Sequence, residues 1–311
     1  MNKDELKLMQ NYPLWMKVEK TKRRIQEWYE HWDGQVYVSY SGGKDSTVLL
    51  HIARQLYPDI PAVFCNTGVE FPEVLKLVKQ QSNLIILRPT KPFHKIIQEY
   101  GYPVISKEVS NKVSVVQRNG RDCKTARYFE ESQKGVKYNC YVYNYLIDAP
   151  FKISARCCYY LKEQPVKHYE KESGNHPILA LMAYESQRRE RAYIENGGCN
   201  AFNNNRPIST PMGFWTENDV LQYIVENNIK IPDVYGDIIK DDKGKYITTG
   251  EKRTGCMYCP FGIKFDKYPN KYQRMQHSHP KHYEYMLNKL GFKQVFDYVG
   301  IEYKDRQKKL F

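Results

Sequence analysis

Eight residues, Val38 to Asp45, read V-S-Y-S-G-G-K-D and carry an apolar strand into a glycine turn that opens a helix. Ser41, Gly42 and Gly43 offer hydroxyl and backbone donors without bulky side chains, and the apolar spacing from Ser46 to Tyr57 predicts the helix. Bare N–H groups and the positive end of its dipole then face whatever lies above, an arrangement that binds phosphate. Neither the Walker spacing nor G-x-G-x-x-G is present. A second chemistry lies in the cysteines. Cys157-Cys158 is an adjacent pair and Cys256-Met257-Tyr258-Cys259 a C-x-x-C pair, so together they offer four thiolates, suited to a 4Fe-4S cluster or a structural Zn²⁺. Adjacent cysteines point apart and seldom reach one small ion, whereas a cubane presents separate iron corners. Thr254-Gly255 before and Pro260 after give the tight backbone of a cluster loop. The cluster is the favoured reading, with zinc and unliganded core cysteines as alternatives.

Alternating elements must position these groups. A helix over 17–32, anchored by Val18, Ile25 and Trp28, leads into a strand at Val36 to Val38. Strands follow at Ala62 to Cys65, Leu84 to Leu87 and Ile178 to Tyr184. Helices are expected at Pro72 to Gln80, Phe93 to Tyr100 and Thr216 to Asn227, the last with Thr216 as N-cap and Val220, Tyr223 and Ile224 as its apolar face. The pattern predicts an α/β fold, a parallel sheet with helices on both faces. Right-handed crossovers place the Ser41 loop and Asn66-Thr67-Gly68 along one sheet edge. Three regions are expected: an N-terminal helical segment (1–33), a nucleotide-binding domain (34–235) with an insertion at about 106–150, and a basic C-terminal extension (236–311). The extension carries the second cysteine pair and is not expected to form an independent core. The insertion, with Arg127-Tyr128-Phe129 and a run from Tyr138 to Tyr145, reads as a mobile lid, a nucleic-acid surface or a solvated insertion.

The 311 residues contain 48 Lys and Arg against 35 Asp and Glu, a net charge of +13, with 27 tyrosines. Anionic partners follow, either a polynucleotide or a small anionic substrate. No run approaches the roughly 18 apolar residues of a membrane span. The charged start, Met1 to Gln10, does not read as a targeting signal, and the cysteines of a basic chain without one imply a reducing cytoplasm. His277, His279 and His282 read as solvated surface histidines.

The loop resembles the S-G-G-x-D-S loop of the ATP pyrophosphatases. That resemblance implies an adenine nucleotide, ATP, whose phosphate charge meets Lys44 and Asp45, the latter through Mg²⁺. The C-C pair followed far downstream by C-x-x-C resembles the cluster motif of assimilatory adenylyl-sulfate reductases. From about residue 17 to 265 the chain is similar to the phosphoadenosine phosphosulfate reductase family, with its adenine nucleotide alpha hydrolase-like, Rossmann-like fold. The landmarks are Ser41 to Ser46, Asn66 to Glu73, Arg156 to Lys162, Glu185 to Arg189, Trp215 to Val220 and Arg253 to Pro260. They imply nucleotide binding by Ser39, Ser41, Gly42, Gly43, Lys44, Asp45, Ser46, Asn66, Thr67, Gly68, Glu70, Glu185, Ser186 and Arg189. Arg156, Lys162 and Arg189 would approach the nucleotide or its anionic substituent, Lys44, Asp45, Arg156 and Lys162 forming the catalytic set.

Departures from the family pattern decide the expected chemistry. No thiol follows Cys259, and the sequence ends Lys308-Lys309-Leu310-Phe311, so the tail nucleophile of the reductases is missing. The loop retains Gly43, Lys44 and Asp45, as pyrophosphate binding requires, and Met182 stands where relatives often have arginine. The expectation is an ATP pyrophosphatase that adenylates an oxygen of its substrate and supports sulfur transfer to a nucleic acid, aided by a sulfur-donor or partner protein. It resembles cluster-containing tRNA thiolases and the adenylating component of DNA phosphorothioation systems. The alternatives are a sulfonucleotide reductase using Cys65, Cys123, Cys140 or Cys199, and a non-catalytic ATP-bound module that senses redox state.

Overall fold

The computed structural model describes residues 1–131 and 139–305; Tyr138 and the Lys308 to Phe311 end fall outside them. The described chain forms two compact units, each assembled from separated segments. Among the described residues no helix is long and apolar enough to cross a membrane.

The first unit comprises residues 1–66, 70–88 and 165–255. Its six-stranded sheet contains β1 (Val36–Ser39), β2 (Ala62–Cys65), β3 (Leu84–Leu87), β4 (His176–Leu179), β5 (Asn200–Ala201) and β6 (Ile208–Ser209), in the order β3-β2-β1-β4-β6-β5. All neighbours are parallel except β5 on β6. Val36, Tyr37 and Val38 are buried without alternation, as expected of a central parallel strand covered on both faces. Helices α1 (Lys3–Gln10) and α2 (Leu14–His31) precede the sheet, α3 (Lys44–Leu56) joins β1 to β2, and α4 (Pro72–Val78) joins β2 to β3. Strands β2 and β3 build outward on one side of β1 and β4 lies on the other, so the strand order reverses at β1. Ligands of open α/β sheets bind at such a switch point, outside the carboxyl ends of the strands. The Ser39 to Gly43 loop lies there.

Helix Glu217–Glu226 is capped as its sequence predicts: Thr216 Oγ1 accepts from Asp219 N–H, and Thr216 N–H donates to Asp219 Oδ2 at 2.6 Å. Asp219 also pairs with buried Lys17 at 2.6 Å, tying α2 to this helix. One strand differs from expectation. β4 ends at Leu179, and Ala183–Glu185 is a 3₁₀ turn in which the Glu185 carboxylate accepts from Met182 N–H. The apolar run through Met182 and Ala183 is buried but leaves the sheet.

The second unit comprises 67–69, 89–164 and 256–311. The stretch that composition marks as an insertion contains a helix, Lys107–Asn119, capped by Ser106 and burying Val109, Val113 and Val116. The C-terminal helices Lys271–Ser278 and Phe292–Val299 belong to the same unit. Phe292 stacks on Phe93 (6.2 Å between ring centres) and meets Tyr102 edge-on (5.2 Å), while Tyr272 packs on Phe296 at 4.6 Å. Of the three histidines, His279 is buried rather than solvated and contacts Ser278 Oγ, whereas His277 is half-exposed and pairs with Asp305.

Candidate functional site

The phosphate loop is held open by its own hydroxyls. Ser41 N–H donates to Ser46 Oγ at 3.1 Å, and Ser46 Oγ and Thr47 Oγ1 donate to the Gly43 carbonyl at 3.0 and 2.9 Å. Gly42 has φ of +72°, and a Cβ there would come within 2.6 Å of Val78 Cγ2 and 2.7 Å of Val74 Cγ1 on α4. Both conditions demand glycine. Gly42→Ala is expected to cost about 2–4 kcal/mol through left-handed strain and overpacking. Chemical denaturation reads this directly, and a second change, Val78→Ala, should recover part of the loss in a double-mutant cycle.

Lys44 and Asp45 open α3. The Lys44 side chain is 4 % exposed, with Nζ 3.3 Å from both Asp45 Oδ1 and Glu217 Oε1 and 3.4 Å from the Lys252 carbonyl. Burial pulls its pKa down, but Asp45, Tyr235 and Glu217 outweigh this and hold the ammonium above its usual range. Asp45 Oδ1 is buried and, with Lys44 beside it as counter-charge, accepts no hydrogen bond. An orphaned carboxylate oxygen at the mouth of a phosphate loop fits a hard divalent cation. Lys44 N–H donates to Tyr235 Oη at 3.1 Å, and that hydroxyl meets Thr254 Oγ1 at 2.9 Å. Tyr235 and Glu217 thus join a site to which sequence reasoning had not assigned them. They lie far along the chain: Glu217 falls within the Trp215 to Val220 landmark, whereas no local pattern marks Tyr235.

Arg189 belongs to the same neighbourhood. Burial lowers its pKa, Arg253 repels it further and Asp45 counteracts both. Its guanidinium pairs with Glu185, and its N–H donates to Ser186 Oγ, the N-cap of helix Gln187–Glu195. Ser39 ends β1, and Asn66, whose N–H donates to the Leu87 carbonyl, follows β2 at the same edge. Glu70 lies in this unit, whereas Thr67 and Gly68 belong to the second.

All four cysteines of the quartet belong to the second unit, as do Arg156 and Lys162. Cys157 and Cys158 sit in a helical turn, Arg156–Cys158, that continues into a π-helical segment, Tyr159–Glu163. The neighbouring Cys158 sulfur raises the Cys157 pKa, with burial and the charges of Cys259 and Cys256 adding to it. The same neighbour interaction, aided by Lys107 and Lys162, brings Cys158 down to about 7 despite burial. Burial and Cys256 push Cys259 up to about 12, opposed by Lys271 and the Phe261 N–H. Lys271 Nζ donates to the carbonyls of Cys256 and Cys259 at 3.1 and 2.9 Å, and Met257 N–H donates to the Val69 carbonyl at 2.8 Å. Four sulfurs in mutual electrostatic reach, one receiving a backbone N–H, form a donor set that suits an iron–sulfur group. Among the described residues no group of three or more His, Cys, Asp or Glu side chains is arranged to hold a metal ion. Arg156 is exposed, its guanidinium 6.0 Å from the centre of the Tyr100 ring.

Of the remaining thiols, Cys140 and Cys199 are buried, and burial raises both pKa values. Cys199 Sγ also lies 3.1 Å from Tyr193 Oη. Cys65 and Cys123 are partly exposed.

Residues 35–104 match the phosphoadenosine phosphosulfate reductase domain. An uncharacterized protein of Methanocaldococcus jannaschii is 24% identical over 248 residues, covering 77% of this chain and 45% of its own length. The phosphoadenosine 5'-phosphosulfate reductase of Serratia proteamaculans is 32% identical over 65 residues, 21% of this chain and 27% of the relative. The chain thus spans less than half the length of these curated relatives. A solved phosphoadenylyl-sulfate (PAPS) reductase from Candida auris aligns with 79% of this chain and 98% of its own, at 15% identity and a TM-score of 0.42. The matched segment takes in the loop between β1 and α3 near its start, and that part of the chain is similar to the phosphoadenosine phosphosulfate reductase domain.

Proposed function

We propose that the chain is an ATP pyrophosphatase of this family that adenylates its acceptor and supports sulfur transfer to a nucleic acid in a reducing cytoplasm. The observation that carries the reading is the buried Lys44 ammonium beside the orphaned Asp45 oxygen, at the mouth of a glycine loop that opens α3. ATP lies with its β- and γ-phosphates on the Ser41 to Ser46 loop, and Lys44, Arg189 and Arg253 balance their charge. Ser39, Asn66, Glu70, Glu185 and Ser186 complete the nucleotide site of the first unit in this reading. An acceptor oxygen forms a bond to the α-phosphorus as that phosphorus loses its bridging oxygen. Pyrophosphate leaves with the electron pair, and the acceptor's proton passes to water. A sulfide-level donor, delivered by a partner protein, then bonds to the activated atom, and AMP departs. Asp45 would hold Mg²⁺, which supplies neutralisation of the leaving pyrophosphate. Cys157, Cys158, Cys256 and Cys259 would hold a 4Fe-4S cluster, which with four thiolates bound leaves no vacant iron and would serve a structural role or tune a nearby anion. In a cubane each thiolate takes its own iron, so no single-ion trio is needed. Arg156 and Lys162 are assigned to the anionic substituent of the substrate.

Short matches to named reductases favour a second reading, a sulfonucleotide reductase. That chemistry needs a thiolate to attack sulfur, and burial holds Cys140 and Cys199 as thiols. The two readings separate in one variant, with Cys65, Cys123, Cys140 and Cys199 all replaced by Ser or Ala. Assayed anaerobically with ATP, with and without tRNA or DNA, it should retain pyrophosphate release. Sulfite formed from adenylyl sulfate and thioredoxin by the wild type, and lost in this variant, would establish the reductase instead.

A further inference from the structure

Net charge is divided unevenly. The unit formed by 67–69, 89–164 and 256–311 has 24 Lys and Arg against 12 Asp and Glu, whereas the phosphate-loop unit has 24 against 23. Nearly the whole excess of +13 therefore belongs to the unit that does not contain the phosphate loop. Exposed rings divide the same way. Among the described residues, six of the eight large exposed aromatics belong to this basic unit: Tyr141, Tyr145, Phe265, Tyr268, Tyr285 and Tyr298.

Several of these rings are held in place. Lys264 Nζ donates to Tyr143 Oη and lies 5.1 Å from the centre of the Tyr143 ring and 5.0 Å from that of Phe265. Phe265 is nevertheless 81% exposed, a large apolar surface left to water. Two residues beyond Tyr143 on the same 3₁₀ helix, Tyr141–Asp148, the ring of Tyr145 lies 6.0 Å from that of Tyr298. Tyr298 Oη donates to the Tyr145 carbonyl at 2.9 Å. In the same unit Lys112 stands 4.0 Å above the Tyr128 ring. Rings fixed by such contacts lose little freedom when a ligand stacks on them.

We propose that the surface of this basic, aromatic unit binds a single-stranded polynucleotide, bases stacking on Phe265 and the Tyr145–Tyr298 pair while Lys264 and its neighbours meet phosphates. This gives the nucleic-acid acceptor of the proposed reaction a docking surface, and so rests on that reading. A duplex hides its base faces and would engage only the cations. Stacking needs unpaired bases.

The test is anisotropy of the full chain, purified anaerobically, with fluorescein-labelled DNA and RNA of about 15 nucleotides, single-stranded and duplex, across a salt series. Single strands should bind more tightly than duplexes. Phe265→Ala should weaken single-strand binding roughly 5- to 100-fold while sparing duplex binding, and Lys264→Gln should reduce the single-strand salt slope by about 0.7. Equal affinity for both forms, wild-type affinity in Phe265→Ala, or no binding at all would overturn the proposal. Mg·ATP binding without oligonucleotide, measured alongside, reports on the phosphate loop alone. Its absence in a wild type that binds single strands as described would remove the ATP reading and leave this surface standing.

Discussion

Asp45→Asn is expected to lower ATP-dependent pyrophosphate release roughly 100- to 1000-fold while leaving the chain folded. The substitution keeps the shape of the side chain but removes its charge. A neutral amide oxygen is a poor ligand for Mg²⁺ beside phosphate, and its NH₂ group would stand against the buried Lys44 ammonium, 3.3 Å from Asp45 Oδ1. Lys44 keeps Glu217 and the Lys252 carbonyl as partners, so the lysine stays charged and the start of α3 need not rearrange. The apparent Mg²⁺ requirement should rise together with the loss in turnover. Circular dichroism and the unfolding midpoint separate a catalytic loss from a structural one. Wild-type turnover in this variant would mean that the loop does not use Asp45 as a metal ligand.

The loop was legible because every signal for it is local. A buried strand, a turn that only glycine can make and a helix start lie within a few consecutive residues. The parallel order of the strands supplies the switch point. What the sequence hides is what closes that loop from a distance: Tyr235 reaches the Lys44 amide across 191 positions, and no local pattern announces it. The helix Lys107–Asn119 was missed for a different reason. Its apolar residues Val109, Val113 and Val116 have helical spacing, but the surrounding Lys, Glu, Asn and Arg made the stretch read as a solvated insertion. β4 was read too long because burial alone does not distinguish a strand from a turn packed against the core, and the Glu185 carboxylate draws the chain out of the sheet. His279 was taken for a surface residue because a basic, tyrosine-rich stretch looks solvated. The tertiary burial of Tyr272, Met275 and Tyr283 around it is not visible in composition.

The larger prediction for the second unit concerns iron. Anaerobic purification should give a brown protein with about four iron atoms per chain, and Cys256→Ser or Cys157→Ser should remove most of the iron and colour. The loop need not collapse in these variants, because protein contacts hold it independently. Lys271 Nζ bridges the carbonyls of Cys256 and Cys259, and Met257 N–H is bound to the Val69 carbonyl. A variant with native circular dichroism and no iron therefore locates the ligands rather than the fold. Cys199→Ala is the matched control. That thiol is buried against Tyr193 in the phosphate-loop unit, so its loss should leave the iron content unchanged. Adjacent Cys157 and Cys158 separate the two metals on chemical grounds, since neighbouring thiolates suit two iron corners better than one tetrahedral ion. A colourless preparation with one zinc per chain, lost on replacing the same cysteines, would assign the quartet to a structural ion and take the cluster out of the mechanism.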